Sequence, residues 1–220
     1  MIRLNIVIVG GGKIGFYLVK TLLPFHHFVT VIEKDRIMCD KIANDLSIPV
    51  IHGDGTNIDS LNAIVNKANV FIAVTGQDED NLIACQLAKR NFGVKKTIAR
   101  VNNPKNIGIF EKLGVDYTIS STSKIAELIE QEVDFSGFKT LMKLKTGNVA
   151  VSEVFIEENS PVGDKLIKDL QLPKDCVLIS IIREKEVIIP NGYTEIKSGD
   201  CIILIASQTD HIELKQFFVG

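Results

Sequence analysis

The spacing of hydrophobic positions changes along this chain and divides it into two parts. Over about the first 120 residues, short and nearly continuous apolar runs alternate with segments whose apolar residues recur every three or four positions. Continuous runs are typical of strands buried on both faces of a parallel sheet, and the longer spacing is typical of helices packed on such a sheet. The alternation predicts a doubly wound α/β fold with the strand order 3-2-1-4-5-6.

Six apolar runs are predicted strands, and the segments that follow them are predicted helices. The predicted strands are residues 4–9, 28–33, 50–52, 70–75, 97–101 and 117–119. The predicted helices are residues 13–23, 35–46, 59–66, 77–91, 105–113 and 123–133. Asp35 and Asp59 are predicted N-caps, because their carboxylates can accept hydrogen bonds from a first helical turn. The last helix carries an apolar stripe that could cover its own sheet or a partner subunit, formed by Ile125, Leu128, Ile129 and Val133.

The helical pattern breaks at residues 134–138, and we place a domain boundary there. Residues 1–136 are then the doubly wound domain, and residues 137–220 are a small α+β domain with a hairpin-rich sheet. The predicted strands of the second domain are residues 149–156, 176–183, 187–189 and 201–206, and its predicted helices are residues 165–170 and 209–218.

A glycine cluster joins the first strand to the first helix. Gly10, Gly12 and Gly15 have the spacing G-x-G-x-x-G. In a strand–turn–helix setting the first glycine makes the tight turn, the second lets a pyrophosphate approach the backbone, and the third lets helix and strand pack closely. The loop therefore predicts a Rossmann-like nucleotide-binding domain, and the alternative is a plain strand-to-helix turn. Gly11, Lys13 and Ile14 complete the predicted phosphate loop, in which Lys13 could reach phosphates or a neighbouring subunit.

Glu33 ends the second strand about twenty residues after the glycines, where a carboxylate can accept both ribose hydroxyls of an adenosine. It would repel a 2′-phosphate, which argues against NADP, although the basic neighbour Lys34 weakens that exclusion slightly. The alternative is a solvated acid at the end of a strand.

Three further groups are predicted at the same sheet edge. Residues 54–56, which are Asp54, Gly55 and Thr56, either border an adenine pocket or form a simple tight turn. Thr75 and Gly76 follow the fourth strand, across the crevice from the first, and would face the centre of the ligand. Arg100 is a cation within an apolar strand, and we favour pairing with phosphate over pairing with a local carboxylate.

Composition and charge exclude several classes of function. The 220 residues are 45% hydrophobic and 24% charged, with a net charge of −2, so no basic field favours nucleic acid. Every apolar run falls far short of the ~20 residues that span a bilayer, and Gly10 to Gly12 interrupt any signal-peptide core. We therefore expect a cytoplasmic protein. The cysteines form no C-x-x-C pair and the histidines have no metal-ligand spacing, so no metal site is predicted.

The nucleotide motif has no predicted catalytic residue beside it. A dehydrogenase needs a proton donor or acceptor next to its substrate, commonly histidine, lysine or tyrosine, and no such arrangement stands out. No serine, cysteine or carboxylate pairing marks a second catalytic centre. A nucleotide site without chemistry favours a sensor, in which ligand binding shifts a conformational equilibrium.

These residues together resemble the TrkA/KtrA-type regulatory subunits of bacterial and archaeal potassium uptake systems, which are built on the RCK domain (regulator of potassium conductance). The resemblance covers the whole chain. Besides the glycine loop and Glu33, it rests on residues 53–56 (GDGT), 73–76 (AVTG), 78–81 (DEDN), 111–116 (EKLGVD) and 199–205 (GDCIILI).

The resemblance implies a cytoplasmic ring under a TrkH/KtrB-like membrane potassium transporter. Homodimers across the first domain would assemble into a tetramer or octamer, and nucleotide exchange would change the shape of the ring and gate transport. This chain carries one copy of the unit, so a ring would need several chains. The alternatives are an NAD-dependent oxidoreductase and a regulator of a different potassium channel or exporter.

The resemblance also bears on the ligands. The TrkA branch is associated with NAD and NADH and the KtrA branch with ATP and ADP, and Glu33 suits either, since both carry an adenosine ribose. Lys13 matches a KtrA-type arginine that reaches the neighbour's terminal phosphate, and Arg100 matches a basic phosphate-contacting position. KtrA-type proteins place a metal-associated glutamate where this chain has residues 120–123 (SSTS), so no divalent cation is expected there. Some relatives bind cyclic di-AMP between C-terminal domains.

Overall fold

The apolar runs of the N-terminal part form one parallel sheet in the computed structural model, which describes residues 2–62, 64–133, 137–144, 148–207 and 211–220. The strands are β1 (Asn5–Val9), β2 (Phe28–Glu33), β3 (Val50–His52), β4 (Val70–Ala73), β5 (Lys96–Val101) and β6 (Tyr117–Ser120). Their order is β3-β2-β1-β4-β5-β6, and every neighbouring pair is parallel. The predicted fold class and strand order are confirmed.

A helix follows each strand of the sheet along the chain. They are α1 (Lys13–Leu22), α2 (Arg36–Leu46), α3 (Ile58–Asn62), α4 (Asp78–Phe92), α5 (Ile107–Lys112) and α6 (Ser121–Val133). Asp35 caps α2 as predicted, because its Oδ1 accepts a hydrogen bond from the Met38 N–H at 2.9 Å. The prediction for α3 was wrong about its cap and its length: Asn57 Oδ1 accepts a hydrogen bond from the Asp59 N–H at 2.8 Å, and Val65–Lys67 form a 3-10 turn instead of continuing the helix.

One face of the sheet loses its cover toward β6. A row of paired residues crosses that face from Val31 and Ile8, which are fully buried, through Ile72 and Ile98 to Tyr117. Side chains of α1 and α2 pack on the β1–β2 end of this face. At the other end Tyr117 is 46% exposed and Ile119 is 54% exposed. The β5–β6 end of this face therefore presents apolar side chains to solvent.

The chain divides into two compact units, Met1–Ala126 and Glu127–Gly220. The sequence-based boundary between residues 136 and 137 stays a prediction, since residues 134–136 lie outside the described residues. The second unit contains β7 (Phe138–Leu144), β8 (Val149–Phe155), β9 (Lys165–Leu166), β10 (Val177–Arg183), β11 (Glu186–Ile188), β12 (Glu195–Ile196), β13 (Cys201–Ser207) and α7 (His211–Phe218). Five of its strands form an antiparallel sheet in the order β11-β10-β13-β8-β7, and β9 pairs with β12.

Two sequence-based predictions for this unit need correction. Residues 165–170 form β9 and a single 3-10 turn rather than a helix, because the Asp164 and Ile167 N–H groups donate to Ile196 and Thr194 carbonyls at 2.8 and 3.0 Å. A six-residue helix is marginal in water, and pairing with β12 satisfies the same backbone groups. Strand β7 was not predicted, because Lys139 and Lys143 interrupt its apolar residues. The closing helix was predicted from residue 209, and residues 209–210 lie outside the described residues.

A buried carboxylate holds the turn before β13. Asp200 has no exposed surface, and its two oxygens accept hydrogen bonds from Nε and Nη2 of Arg183 at 2.7 and 2.8 Å. The Lys197 N–H donates to the same carboxylate at 2.8 Å. Burial by itself would raise the pKa of Asp200, but the Arg183 and Lys197 hydrogen bonds outweigh it and lower the pKa below its usual range.

We predict that Asp200→Asn lowers the free energy of unfolding of the second unit at pH 7 by about 3 kcal/mol, because it leaves the Arg183 guanidinium without its charged partner. In the wild type, the depressed pKa means that the carboxylate stabilises the unit above its unfolded-state pKa of about 4, and this stability is lost as the pH falls through the folded-state value. Amide hydrogen exchange of β10 and β13, measured in the full chain across this range, checks both effects.

The control is Glu195→Gln, which removes an exposed carboxylate 3.6 Å from the Lys197 ammonium. An exposed pair of this kind contributes little, so the control should exchange like the wild type. Equal protection in Asp200→Asn and the control would contradict the prediction.

Candidate functional site

Of the three glycines that form the G-x-G-x-x-G spacing, the fold requires two and leaves the third unconstrained. Gly10 has φ +100°, and a Cβ there would come within 3.0 Å of the Thr75 nitrogen. A Cβ at Gly15 would overlap the Gly10 carbonyl oxygen, so only glycine lets α1 pack this closely on the end of β1. A Cβ at Gly12 would meet nothing within 4 Å. The absence of a side chain at Gly12 therefore leaves open space above the loop instead of serving the packing of the protein.

Helix α1 begins directly after this open position. Gly12 is its N-cap, and among the described residues no side chain caps the helix. The first N–H groups of α1 are consequently available to an anion, and the helix dipole favours one. Lys13, the first residue of α1, is exposed beside the loop.

Glu33 lies beside the loop and is engaged by two backbone groups. Its Oε2 accepts a hydrogen bond from the Gly11 N–H at 2.6 Å, and its Oε1 accepts one from the Asp35 N–H at 2.8 Å. Each carboxylate oxygen has a second acceptor site, so Glu33 can still accept bonds from ligand hydroxyls. A Cβ at Gly11 would collide with the end of Ile42. Glycine at position 11 therefore serves the contact between the loop and α2.

The turn after β3 fits both of the roles considered for it. Asp54 Oδ1 accepts hydrogen bonds from the Thr56 N–H at 2.8 Å and from the Thr56 hydroxyl at 2.7 Å, as in a tight turn. The backbone hydrogen bond from Thr56 is the main reason why the pKa of Asp54 lies below its usual value. A Cβ at Gly55 would collide with Val9, so this turn lies against the end of β1.

The opposite wall is held by Asn81, a residue that the sequence reasoning missed. Asn81 has no exposed surface and bonds to Thr75 and to the carbonyl of Arg100. Its position was detectable, because it lies three, four and seven residues before Ala84, Cys85 and Ala88, which are the other buried residues of α4. An asparagine on the buried face of a helix needs partners for its amide, and here the ends of β4 and β5 supply them.

These elements enclose a cleft of about 670 Å³ at the carboxyl edge of the sheet. All the predicted site residues line it except Gly11 and Gly15, which make the packing contacts with Ile42 and with the Gly10 carbonyl described above. Its other lining residues are Val9, Ile32, Gly53, Val74, Gln77 and Asp80. Apolar side chains thus combine with a few polar groups, as is typical of small-molecule sites.

The acidic groups of the cleft have hydrogen-bond or ion-pair partners, whereas two of its basic groups have no acidic partner among the described residues. Glu33 and Asp54 accept the hydrogen bonds described above, and Asp80 lies 3.9 Å from the Lys34 ammonium. Within the described part of the chain, neither Lys13 nor Arg100 forms an ion pair, and Arg100 Nε donates only to the Ser121 hydroxyl, at 3.4 Å. The local carboxylate that was considered as a partner for Arg100 is absent among these residues. Two cations therefore remain for an anionic ligand.

The arrangement is suited to binding a phosphate chain and a ribose. No histidine, cysteine or tyrosine is among the described residues that line the cleft. The described residues also contain no group of three or more His, Cys, Asp or Glu side chains placed to hold a metal ion. None of the described helices has the length and apolar character needed to cross a membrane.

Comparison with known proteins gives two family matches. Residues 6–121 match the TrkA-N domain, and residues 151–219 match the TrkA-C domain. The Trk system potassium uptake protein TrkA of Mycobacterium tuberculosis (strain ATCC 25618 / H37Rv) is 31% identical over 221 residues, which are 98% of this chain and 99% of that protein. A TrkA homolog of Archaeoglobus fulgidus is 34% identical over 222 residues, and this chain spans 50% of its length.

Among solved structures, the chain is similar to a protein named GsuK. A structure of the GsuK channel matches the whole chain with a TM-score of 0.70 at 17% identity, over 40% of the GsuK chain. A GsuK channel bound to NAD also matches the whole chain and 40% of the GsuK chain, with a TM-score of 0.63 at 18% identity. GsuK bound to ADP matches 58% of this chain and 34% of the GsuK chain, with a TM-score of 0.50 at 21% identity. At these identities the likeness concerns the fold, which is that of an RCK domain.

The glycine geometry predicts opposite outcomes for two alanine substitutions. Gly15→Ala should lower the free energy of unfolding by at least about 2 kcal/mol, because its methyl group overlaps the Gly10 carbonyl. Gly12→Ala should lower it by no more than about 1 kcal/mol, because its methyl group meets nothing within 4 Å and the remaining cost is that of alanine in place of glycine at an N-cap. Urea unfolding of the two variants measures the difference, and similar destabilisation by both would contradict the packing argument.

Proposed function

Because the chain belongs to the TrkA family, we propose that it is a nucleotide-binding regulatory subunit of a potassium uptake system. The observation that carries the proposal is the cleft, in which the open Gly12 position, the uncapped start of α1 and Glu33 lie together in a chain whose relatives are named potassium uptake proteins. The partner is then a membrane potassium transporter, with this chain bound to its cytoplasmic face. We propose a regulatory rather than an enzymatic role, because the cleft residues are suited to binding a phosphate chain and a ribose and the relatives are named as potassium uptake proteins.

We propose NAD or NADH as the ligand, with ATP or ADP as the alternative. The volume of the cleft suits a dinucleotide, and the two cations without carboxylate partners, Lys13 and Arg100, match the two phosphates of its pyrophosphate. The adenosine ribose would lie on Glu33 and the adenine beside residues 54–56. Structures of similar fold carry NAD in one case and ADP in another, which supports both options.

The subunit is proposed to act as a homodimer through α6. The four residues of the α6 apolar stripe are between 58% and 64% exposed, so the stripe is available to a second copy of the chain. Tyr117 and Ile119 present a second apolar surface on the uncovered end of the sheet. Two exposed apolar faces on one chain can bury each other when two copies exchange them around a two-fold axis. Assembly of such dimers into a tetrameric or octameric ring, and binding of cyclic di-AMP by the second unit, remain predictions.

The start of α6 is bonded to the wall of the cleft, which offers a route from ligand to dimer. Arg100 Nε donates to the Ser121 hydroxyl, and the Thr122 hydroxyl donates to the Asn102 carbonyl at 2.8 Å. A phosphate bound to Arg100 would compete with Ser121 for the guanidinium. Ligands with different phosphate positions would then stabilise different arrangements of α6, which is the requirement for a ligand-dependent shift between two states.

The first test is isothermal calorimetry with NADH, NAD, ATP and ADP. Glu33→Ala should weaken every adenosine nucleotide that the wild type binds by about tenfold or more, because hydrogen bonds to a charged group are lost. Glu79→Ala is the matched control, since Glu79 is an exposed carboxylate near the cleft that does not line it. Unchanged affinity in Glu33→Ala would contradict the ribose assignment, and equal millimolar binding of all four nucleotides would remove the basis for switching.

The second test is the oligomeric state. Leu128→Glu should raise the dissociation constant of the dimer at least about tenfold, because it places a charge within the apolar stripe. Glu130→Lys changes a charge outside the stripe and serves as the control. Sedimentation velocity over a range of concentrations separates the two, and a dimer that is equally stable in both variants would exclude the α6 interface.

A further inference from the structure

Among the described residues, the side-chain amide of buried Asn81 bonds to Thr75 and Arg100, both of which line the cleft. Its Oδ1 accepts hydrogen bonds from the Thr75 N–H at 2.8 Å and from the Thr75 hydroxyl at 2.7 Å. Its Nδ2 donates to the Thr75 carbonyl at 3.3 Å and to the Arg100 carbonyl at 2.9 Å. An asparagine amide offers two donors and two acceptor sites, so these four bonds use its full capacity.

The two partners belong to different strands of the sheet. Thr75 follows β4 and Arg100 lies in β5, and both line the wall of the cleft that faces the glycine loop. The last residue pair between β4 and β5 is Ala73–Ala99. Asn81 therefore joins the two strands just beyond the point where their own pairing stops. In its absence, the Thr75 N–H and carbonyl would lose the partners that Asn81 supplies, whereas the Thr75 hydroxyl would keep its hydrogen bonds with the Gln77 backbone at 3.1 and 3.2 Å.

A second side chain of the same helix fixes the loop that follows β5. Asp78 accepts hydrogen bonds from the N–H groups of Asn102 and Asn103, at 2.6 and 3.1 Å, and from the Asn106 amide at 2.8 Å. Burial would raise the pKa of Asp78, but these donors outweigh it and lower the pKa. The first turn of α4 is thus bonded to the strand ends by both side chains.

We infer that Asn81 is a positioning residue for the distal half of the bound nucleotide, holding Thr75 and Arg100 where the second phosphate and the group beyond it would lie. The inference rests on the proposed nucleotide function. Asn81 has no bond to the glycine loop, Glu33 or residues 54–56, which form the proposed adenosine half of the site. Its loss should therefore affect ligands that extend past the first phosphate and spare those that do not.

The test compares NADH with AMP, which contains only the adenosine half and one phosphate. Asn81→Leu should weaken NADH binding at least about tenfold while AMP affinity changes less than about twofold. The reason is that the substitution removes the link between the ends of β4 and β5 but removes no contact of the glycine loop. If the wild type binds ATP rather than NADH, ATP takes the place of NADH. Cys85→Ala is the matched control, because Cys85 is buried on the same helix and donates to the Ile98 carbonyl at 3.7 Å instead. The control should bind both ligands like the wild type.

Asn81→Asp provides a second variant of nearly the same volume. It keeps the acceptor for the Thr75 N–H and hydroxyl but replaces the NH2 group, which donates to the Thr75 and Arg100 carbonyls, with a carboxylate oxygen. It should therefore weaken NADH binding more than AMP binding as well. Equal weakening of NADH and AMP, unchanged NADH affinity, or loss of the fold in both Asn81 variants would overturn the inference. A wild-type protein that binds neither AMP nor any of the longer nucleotides would instead overturn the proposed function itself.

Discussion

The close approach of α1 to the end of β1 is the constraint on which the rest of the site depends. The carbonyl of Gly10 occupies the space that a side chain at position 15 would need, so the helix starts directly above the strand end. This places the first N–H groups of α1 at the cleft and brings the Gly11 N–H within 2.6 Å of Glu33. The groups proposed to bind phosphate and ribose are therefore held by the same packing contact.

The two walls of the cleft are held by different physical means. The loop side depends on missing side chains, because Gly10, Gly15 and Gly55 each lie against backbone or side-chain atoms that leave no room for a Cβ. The opposite side depends on hydrogen bonds that Asp78 and Asn81 make with the backbone: Asp78 accepts from the N–H groups that follow β5, and Asn81 bonds to Thr75 and to the Arg100 carbonyl. Steric exclusion fixes one wall rigidly, whereas a polar network can have an alternative arrangement if a ligand offers competing partners.

That difference suits a protein whose proposed task is to respond to a ligand. Arg100 belongs to the hydrogen-bonded wall and touches Ser121 at the start of α6, so the wall that can rearrange is also the one connected to the exposed apolar helix. The glycine loop would then supply affinity, and the β4–β5 wall would report which ligand is present. Coupling of this kind requires that each ligand contact the two states of the wall differently.

The sequence by itself determined the parallel sheet, its strand order, the glycine turn between β1 and α1 and the position of Glu33 at the end of β2, because hydrophobic spacing and glycine spacing are local signals with few competing interpretations. Tertiary structure decided the rest. Residues 165–170 have a helical pattern, but Lys165 and Leu166 pair with β12 and the next three residues form a 3-10 turn. Strand β7 joins its sheet although lysines interrupt its apolar residues, since strand pairing depends on distant partners. Only the folded chain makes Asn81 a link between two strands and leaves Gly12 without a neighbour, because both facts concern atoms far apart in sequence.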